Sequence, residues 1–354
     1  MLNLLNTDHT IRFDLGNYCN LACPTCFRNT TAAEHPYLNS HYVTPEECRQ
    51  WFPEEFLRKH VWQFIFNGAS SEPTLNPQFM EIVDWFHDKV PILRVSTNTS
   101  TRNPDWWYEL GKTKIHPHFA IDTLTPGNEM YRINADSKRI RKNIEAFAAA
   151  GGKGTIKLIL FKHNQDEIPF IKEYAKKLGQ DLSIRASYDM VGKSFYMVES
   201  KGKTYKLEKN TLEDLQRSKP YRELYNSSNP KDFCQLTLDK TFIAHCNGII
   251  YPCCHIEGWF FSFYANFFAD GVTTTPKPRE TNPVIYDDFI SKVESGGGIT
   301  KLSLRHHSFE EIINSKFFKT LAFNWKLKNN QTCMNCKNWN GSNFTGDPNK
   351  LTTT

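Results

Sequence analysis

Near the start of the chain, the stretch Gly16-Asn17-Tyr18-Cys19-Asn20-Leu21-Ala22-Cys23-Pro24-Thr25-Cys26-Phe27 places Cys19, Cys23 and Cys26 in a C-x3-C-x2-C array. Thiolates are the usual ligands of iron-sulfur clusters, and three of them can hold three irons of a four-iron cube while the fourth iron stays open. An iron with a vacant position is a Lewis acid that can chelate an amino acid through its amine and carboxylate. The same thiols could instead belong to a zinc site or be packed, although structural zinc more often shows C-x2-C pairs with a fourth ligand.

Cysteine returns late in the chain. Cys234 and Cys253 flank Asn247-Gly248, a strong hairpin turn signal that would bring them together, and Cys333-Met334-Asn335-Cys336 can close a set of four. Four thiolates suit a coordinatively saturated second cluster, with a four-thiolate zinc site as the alternative. Cys48 lies inside a helical pattern among packing residues. Cys246 and Cys254 are spare, either substitute ligands or packed thiols.

The elements that must position these groups alternate regularly. Ile11 to Leu15 reads as a strand running straight into the cysteine loop. Thr44-Pro45-Glu46-Glu47 is a capping box with proline at the first helical position, opening a helix through about Leu57. Val61 to Phe66 is the next strand, and Asn76-Pro77 starts a helix with Phe79, Val83 and Phe86 on one face. Ile92 to Thr97, His118 to Asp122, Thr155 to Phe161 and Leu182 to Ala186 continue the strands. Between them lie helices opened at Asn103-Pro104, carrying Ile140, Ile144 and Phe147 up to Gly151, and capped at Asp166.

Six strand-helix units in a row demand a parallel sheet with helices outside, and six instead of eight point to a partial barrel. The working face of such a barrel lies at the C-terminal ends of its strands. The cysteine loop lands there, together with Glu72, Ser96 to Asn98, Asp122 and Lys162-His163-Asn164. Ser and Thr at strand ends are also common turn formers, and Asp there often caps the next element. Arg132, after the fourth strand, could clamp an anion or cover the surface.

The chain of 354 residues allows one large domain and a small one, here 1–190, a connecting segment 191–232 with a hairpin near Tyr196 to Leu207, and 233–354. The aromatic run between Gly258 and Phe268 suits the small domain's core. Ten cysteines without a secretion signal favour metal ligation or reduced thiols over a disulfide framework. No stretch approaches the ~18 apolar residues that span a bilayer, so cytoplasmic residence and no membrane partner are the expectation. The formal charge of +5 is modest and interspersed, which does not indicate a nucleic-acid partner.

The cysteine array and the barrel pattern over residues 10–190 resemble the radical S-adenosylmethionine (AdoMet) superfamily. The resemblance implies an α/β fold, a partial (βα)6 TIM-type barrel followed by a small α+β auxiliary-cluster domain. It implies a [4Fe-4S] cluster on Cys19, Cys23 and Cys26 that donates an electron to AdoMet, so that a 5'-deoxyadenosyl radical removes a hydrogen atom from substrate. A reductant such as flavodoxin or ferredoxin would supply the electron.

Gly68-Ala69-Ser70-Ser71-Glu72-Pro73 stands where the family has its Gly-Gly-Glu loop. Both glycines are replaced, by Ser70 and Ser71, and the acid is kept as Glu72. Ser96, Thr97 and Asn98 are similar to the third-strand motif that contacts AdoMet, and Asp122 and Arg185 lie where the family's later strands reach it. Thr25 replaces the usual aromatic before the third cysteine, leaving Tyr18 or Phe27 to cover the adenine.

Cys234, Cys253, Cys333 and Cys336 resemble the SPASM extension and, more closely, its short twitch form, with the Ser308 to Phe318 helix before the C-x2-C. One auxiliary [4Fe-4S] cluster is implied, because no cysteine follows Cys336. Such relatives mostly oxidise, crosslink or epimerise peptide or protein residues, and in radical epimerases a cysteine, here Cys246 or Cys254, returns a hydrogen atom. Modification of a carbohydrate or nucleotide-derived small molecule is one alternative, and a non-catalytic iron-sulfur or zinc protein that binds a partner or relays electrons is another.

Overall fold

The structure, a computed structural model, describes residues 8–24, 26–30, 41–68, 71–125, 127–186, 194–200, 202–212, 240–252 and 291–327. Six parallel strands follow one another across the sheet in chain order: β1 (His9–Phe13), β2 (Val61–Phe66), β3 (Ile92–Thr97), β4 (His116–Ala120), β5 (Thr155–Leu160) and β6 (Asp181–Ala186). Each crossover carries helix: α1 (Phe27–Thr30), α2 (Pro45–Trp51) and α3 (Glu54–His60) after β1, then α4 (Phe79–Phe86), α5 (Pro104–Gly111), α6 (Ser137–Ala149) and α7 (Ile168–Lys177). Parallel neighbours require such crossovers, so the strand-helix pattern yields this sheet.

The two sides of the sheet differ in chemistry. Ile11, Phe13, Phe64, Phe66, Val95, Phe119, Ile156 and Leu158 are buried under Trp51, Phe52, Phe86, Trp107, Ile144 and Phe147 of the helices. The alternate residues, among them Arg12, Gln63, Arg94, His118 and Lys157, are only partly buried. A parallel sheet covered on both faces would be apolar at both parities. Here one parity is a hydrocarbon core and the other is polar.

Local chemistry sets the boundaries. Thr44 caps α2 through the Glu47 amide while Glu47 bonds back to the Thr44 N–H, and Asn103 caps α5 through Trp106. The single helix expected through Leu57 is two helices, because Pro53 ends the first and is the cap residue of the second. Asp166 does not cap: residues Lys162–Glu167 form a 3-10 turn that runs into α7. α4 begins at Phe79, after a 3-10 turn at Pro73–Leu75, and β4 begins at His116. Gly151, at φ +87°, ends α6 as a left-handed cap.

The hairpin expected near Tyr196 to Leu207 is β7 (Phe195–Ser200) with β8 (Lys203–Glu208). Beyond it, β9 (Thr241–Ala244) pairs in parallel with β1, and β10 (Ile250–Tyr251) returns antiparallel to β9 around the Asn247-Gly248 turn, with Gly248 at φ +86°. Both extend the barrel's own sheet, giving eight strands. α8 (Phe309–Ile313), capped by Ser308 and Glu311, packs Phe309 against Phe56 and Phe242, and α9 (Lys316–Leu327) follows. Cys234, Cys253, Cys254, Cys333, Cys336 and the aromatic run from Gly258 lie outside the described residues. No helix among the described residues is long and apolar enough to cross a membrane.

Candidate functional site

The cysteine loop leaves β1 at its C-terminal end and is held by backbone groups from four directions. The Asp14 N–H donates to Ala244 O at 3.0 Å, Asn17 N–H to His41 O at 3.2 Å, Ala22 N–H to Ile133 O at 3.1 Å, and Glu72 N–H to Tyr18 O at 2.7 Å. Buried Arg28 reaches back to Asn17 O at 2.5 Å. Within the loop, Cys26 N–H donates to Cys23 O at 3.1 Å, and Asn29 Nδ2 donates to the same oxygen at 2.8 Å. Irregular backbone is thus satisfied without being covered, and the three thiols stay partly exposed.

The thiol surroundings fit a thiolate-bound cluster. Leu21 N–H points at Cys19 Sγ at 3.5 Å and Asn98 Nδ2 at 4.0 Å. Burial pushes Cys19 up to about 12, reinforced by Glu72, and Cys23 up to about 11, opposed by Arg132. Cys26 is raised by burial and opposed by the Arg28 and Asn29 amides and the Arg28 and Arg132 cations. Such thiols stay protonated until a metal displaces the proton, and the donors and cations then stabilise the anion. Among the described residues, no three Cys, His, Asp or Glu side chains converge as tightly as a single metal ion requires. Around one zinc the sulfurs would stand about 3.8 Å apart, whereas a cube gives each thiolate its own iron.

Glu72 is the most tightly built residue of this face. Its side chain is buried and accepts from Thr74 Oγ1 at 2.6 Å, Thr97 Oγ1 at 2.7 Å, Asn98 N–H at 2.7 Å and Thr74 N–H at 3.2 Å. Burial raises its pKa above the ordinary carboxylate value, while the Asn98 amide and the Thr74 and Thr97 donors pull the other way. Thr97 and Asn98 therefore act here as supports of Glu72. Asn98 also donates to Asn20 Oδ1 at 2.9 Å, and Asn20 to Ser100 Oγ at 2.8 Å, tying the β3 end to the cysteine loop. Thr99 (φ +61°) and Arg102 (φ +60°) hold left-handed backbone in this loop, a strained conformation that clusters at functional sites, and Asn143 Nδ2 clamps Thr99 O at 2.8 Å.

Gly68 opens the loop to Glu72 for a steric reason: a Cβ there would lie 1.8 Å from the Ser71 carbonyl oxygen. Gly68→Ala is expected to lower stability by about 1–3 kcal/mol in urea unfolding, since the loop cannot close over a methyl group. Ser71 Oγ is buried with no hydrogen-bond partner among the described residues. Ser70 lies outside the described residues, as does the Phe27 side chain, while Tyr18 stacks on Tyr42 at 4.3 Å and 17°.

Asp122 is committed internally. It is fully buried, pairs with Arg132 Nε at 2.8 Å and accepts the Ile159 N–H at 2.9 Å. Arg132, which sequence reasoning left open between anion clamp and surface residue, is buried beside Cys23. Burial opposes its charge, but Asp122 and then Cys23 raise its pKa above the ordinary value. Ser96 is partly buried on the polar parity of β3, and Arg185 is exposed on β6 with Lys157 and His118 as its electrostatic neighbours. The structure thus gathers Cys19, Cys23, Cys26, Glu72, Thr97 and Asn98 into one constellation. Arg132, open in the sequence between anion clamp and surface cover, is instead a buried ion-pair partner of Asp122, and its proximity to Cys23 is not local in sequence.

Comparison with known proteins identifies the domain. Residues 14–175 match the description of the Radical SAM superfamily. The tungsten-containing aldehyde ferredoxin oxidoreductase cofactor-modifying protein of Pyrococcus furiosus is 22% identical over 68% of this chain and 69% of its own. Mycofactocin maturase MftC of Mycobacterium ulcerans is 25% identical over 49% of this chain and 46% of its own, so the chain spans less than half of that relative. The crystal structure of Streptococcus suis SuiB superposes with a TM-score of 0.51 at 17% identity, covering 75% of this chain and 66% of SuiB. A radical SAM domain, for which the family implies a [4Fe-4S] cluster and AdoMet, therefore occupies residues 14–175, and the matched relatives support a radical SAM enzyme.

Proposed function

We propose that the protein uses AdoMet-derived radical chemistry to modify a residue of a peptide or protein. The observation that carries the reading is the open three-thiol loop backed by a buried carboxylate. When bound, the cluster supplies an electron to AdoMet, and the resulting 5'-deoxyadenosyl radical abstracts hydrogen. The chain's own part is to hold Cys19, Cys23 and Cys26 on one loop and to keep their anionic form stable through Leu21, Asn98 and the Arg132 cation. Glu72 offers a buried negative charge beside Cys19, the complement of an amino acid's ammonium group, and Ser70, Ser71 and Ser96 belong to the same cofactor-binding set. Asp122 holds Arg132, Tyr18 or Phe27 stacks on the adenine, and Arg185 faces the barrel interior.

The peptide class is supported by the relatives. MftC is named a maturase, and SuiB, which shares this fold at a TM-score of 0.50, has been crystallised bound to the precursor peptide SuiA. A small-molecule substrate is the second reading, favoured by the Pyrococcus furiosus relative, whose name makes it a cofactor-modifying protein. Deuterium tracing separates the two: deuterated peptides should pass label to 5'-deoxyadenosine, and label arriving only from deuterated sugars or nucleotides would reassign the substrate.

An auxiliary [4Fe-4S] cluster on Cys234, Cys253, Cys333 and Cys336 belongs to the same reading, in a small twitch-like or SPASM-like domain over 233–354. Anaerobically reconstituted protein should then carry about 8 irons per chain, falling to about 4 when Cys333 and Cys336 are both replaced by alanine. Equal iron in the two proteins would remove the second cluster.

A further inference from the structure

The polar side of the barrel sheet carries a group of cations from four strands. The parallel register sets Arg12 beside Ile65, Ile65 beside Arg94 and Arg94 beside His116, while His118 pairs across to Thr155 and Lys157 to Ser183. Lys157 on β5 lies within electrostatic reach of Arg185 on β6, Arg12 on β1 and Arg94 on β3. Strands β1 and β5 are separated by three others in the sheet, so Arg12 and Lys157 can meet only across its concave face. The cations therefore converge on one volume inside the barrel.

Among the described residues these charges lack counterions: the side chains of Arg12, Lys157 and Arg185 form no hydrogen bond or ion pair, and Arg94 Nη1 donates to the Gln63 amide oxygen at 2.9 Å. The acid that reaches the group is Asp181, at the start of β6, through His116. Burial and then Lys157 and Arg94 pull His118 down to about 3, so it is neutral at physiological pH, and burial with the three arginines pulls Lys157 down to about 8. Gathering like charges on a half-buried face destabilises a fold, and such arrangements persist where a ligand uses them. Arginine and lysine together also suit oxyanions, by forked and point contacts respectively.

We infer that the barrel interior of this enzyme binds an anionic part of its substrate, an oxyanion seated between Arg12, Arg94, Lys157 and Arg185. The inference rests on the barrel being the substrate chamber of the proposed reaction, and it narrows that substrate to one bearing carboxylates or phosphoryl groups. For a peptide substrate, the matching feature is an acidic segment.

Fluorescein-labelled tetraglutamate, with inorganic pyrophosphate as competitor, tests this on anaerobically reconstituted holoenzyme by anisotropy. Arg12→Gln/Lys157→Gln should weaken tetraglutamate binding at least tenfold without lowering the thermal midpoint, because repulsion is relieved. Wild-type affinity should fall as pH rises through about 8, when Lys157 loses its proton, and the double variant should lose that dependence. The other charged and titratable groups around Lys157 are Arg12, Arg94, Arg185, His116, His118 and Asp181, and the two histidines, lowered by burial, are already neutral there. Pyrophosphate binding with no tetraglutamate binding would keep the oxyanion site and assign it to a phosphoryl group. If neither probe distinguishes wild type from variant, or the midpoint falls with binding unchanged, the cations are structural and the inference is overturned. Binding is read without turnover, so this failure and a failure to cleave AdoMet are told apart.

Discussion

Cys23→Ala is expected to abolish AdoMet cleavage and to strip the N-terminal cluster, cutting 5'-deoxyadenosine formation by at least about 10^3-fold, the scale expected when the group doing the chemistry is lost. The physical reason is the number of ligands. A cube held by three thiolates cannot lose one and keep a stable open corner, and the other two cysteines among the described residues, Cys48 and Cys246, are fully buried in the hydrophobic core. Iron and visible absorption measured on anaerobically purified variant should show the loss directly. Stability should change little, because Cys23 Sγ is partly exposed and the loop is held by backbone bonds to Ile133, His41 and Ala244 that do not involve it. Cys19→Ala and Cys26→Ala should behave alike. A variant that retained the full iron complement and cleaved AdoMet would remove Cys23 from the ligand set.

Glu72→Leu should have the largest effect on the fold of this face. Its carboxylate receives Thr74 Oγ1, Thr97 Oγ1 and the Thr74 and Asn98 amides, all buried. An apolar replacement leaves those donors without an acceptor, and at about 1–3 kcal/mol for each truly orphaned group the loss should total about 3–5 kcal/mol. Glu72→Gln separates support from charge. It keeps one carbonyl oxygen for the threonines, so it should cost only about 1–2 kcal/mol. It removes the negative charge beside Cys19, however, and AdoMet affinity measured by equilibrium dialysis should fall at least about tenfold. Equal affinity in Glu72→Gln and wild type would make the residue a purely structural bracket.

How much of this could be seen in the sequence depends on the range of the interaction. Val61–Phe66 and Ile92–Thr97 are recovered to the residue, and the Thr44 and Asn103 caps are found, because period and capping are encoded within a few positions. The cysteine loop and Glu72 land on one face for the same reason, since each follows a strand of a parallel sheet. Long-range features were hidden. The β9 strand lies beside β1 although more than two hundred residues separate them, and no local pattern announces that pairing. The tilt of roles at the β3 end, where Thr97 and Asn98 serve Glu72, depends on a hydrogen-bond network spanning two loops. The interior cations looked like ordinary interspersed charge, because only strand register puts Arg12, Arg94 and Lys157 on one side. Pro53 is a local helix breaker, and the helix expected through Leu57 divides there.

The central claim is that three thiolates on the β1 loop hold a cluster able to split AdoMet. It is tested most directly by incubating the anaerobically reconstituted protein with AdoMet and dithionite and quantifying 5'-deoxyadenosine. The account predicts its formation in wild type, dependent on the reductant and absent from Cys23→Ala. Wild-type protein carrying its full complement of iron and binding AdoMet, yet yielding no 5'-deoxyadenosine under these conditions, would contradict it.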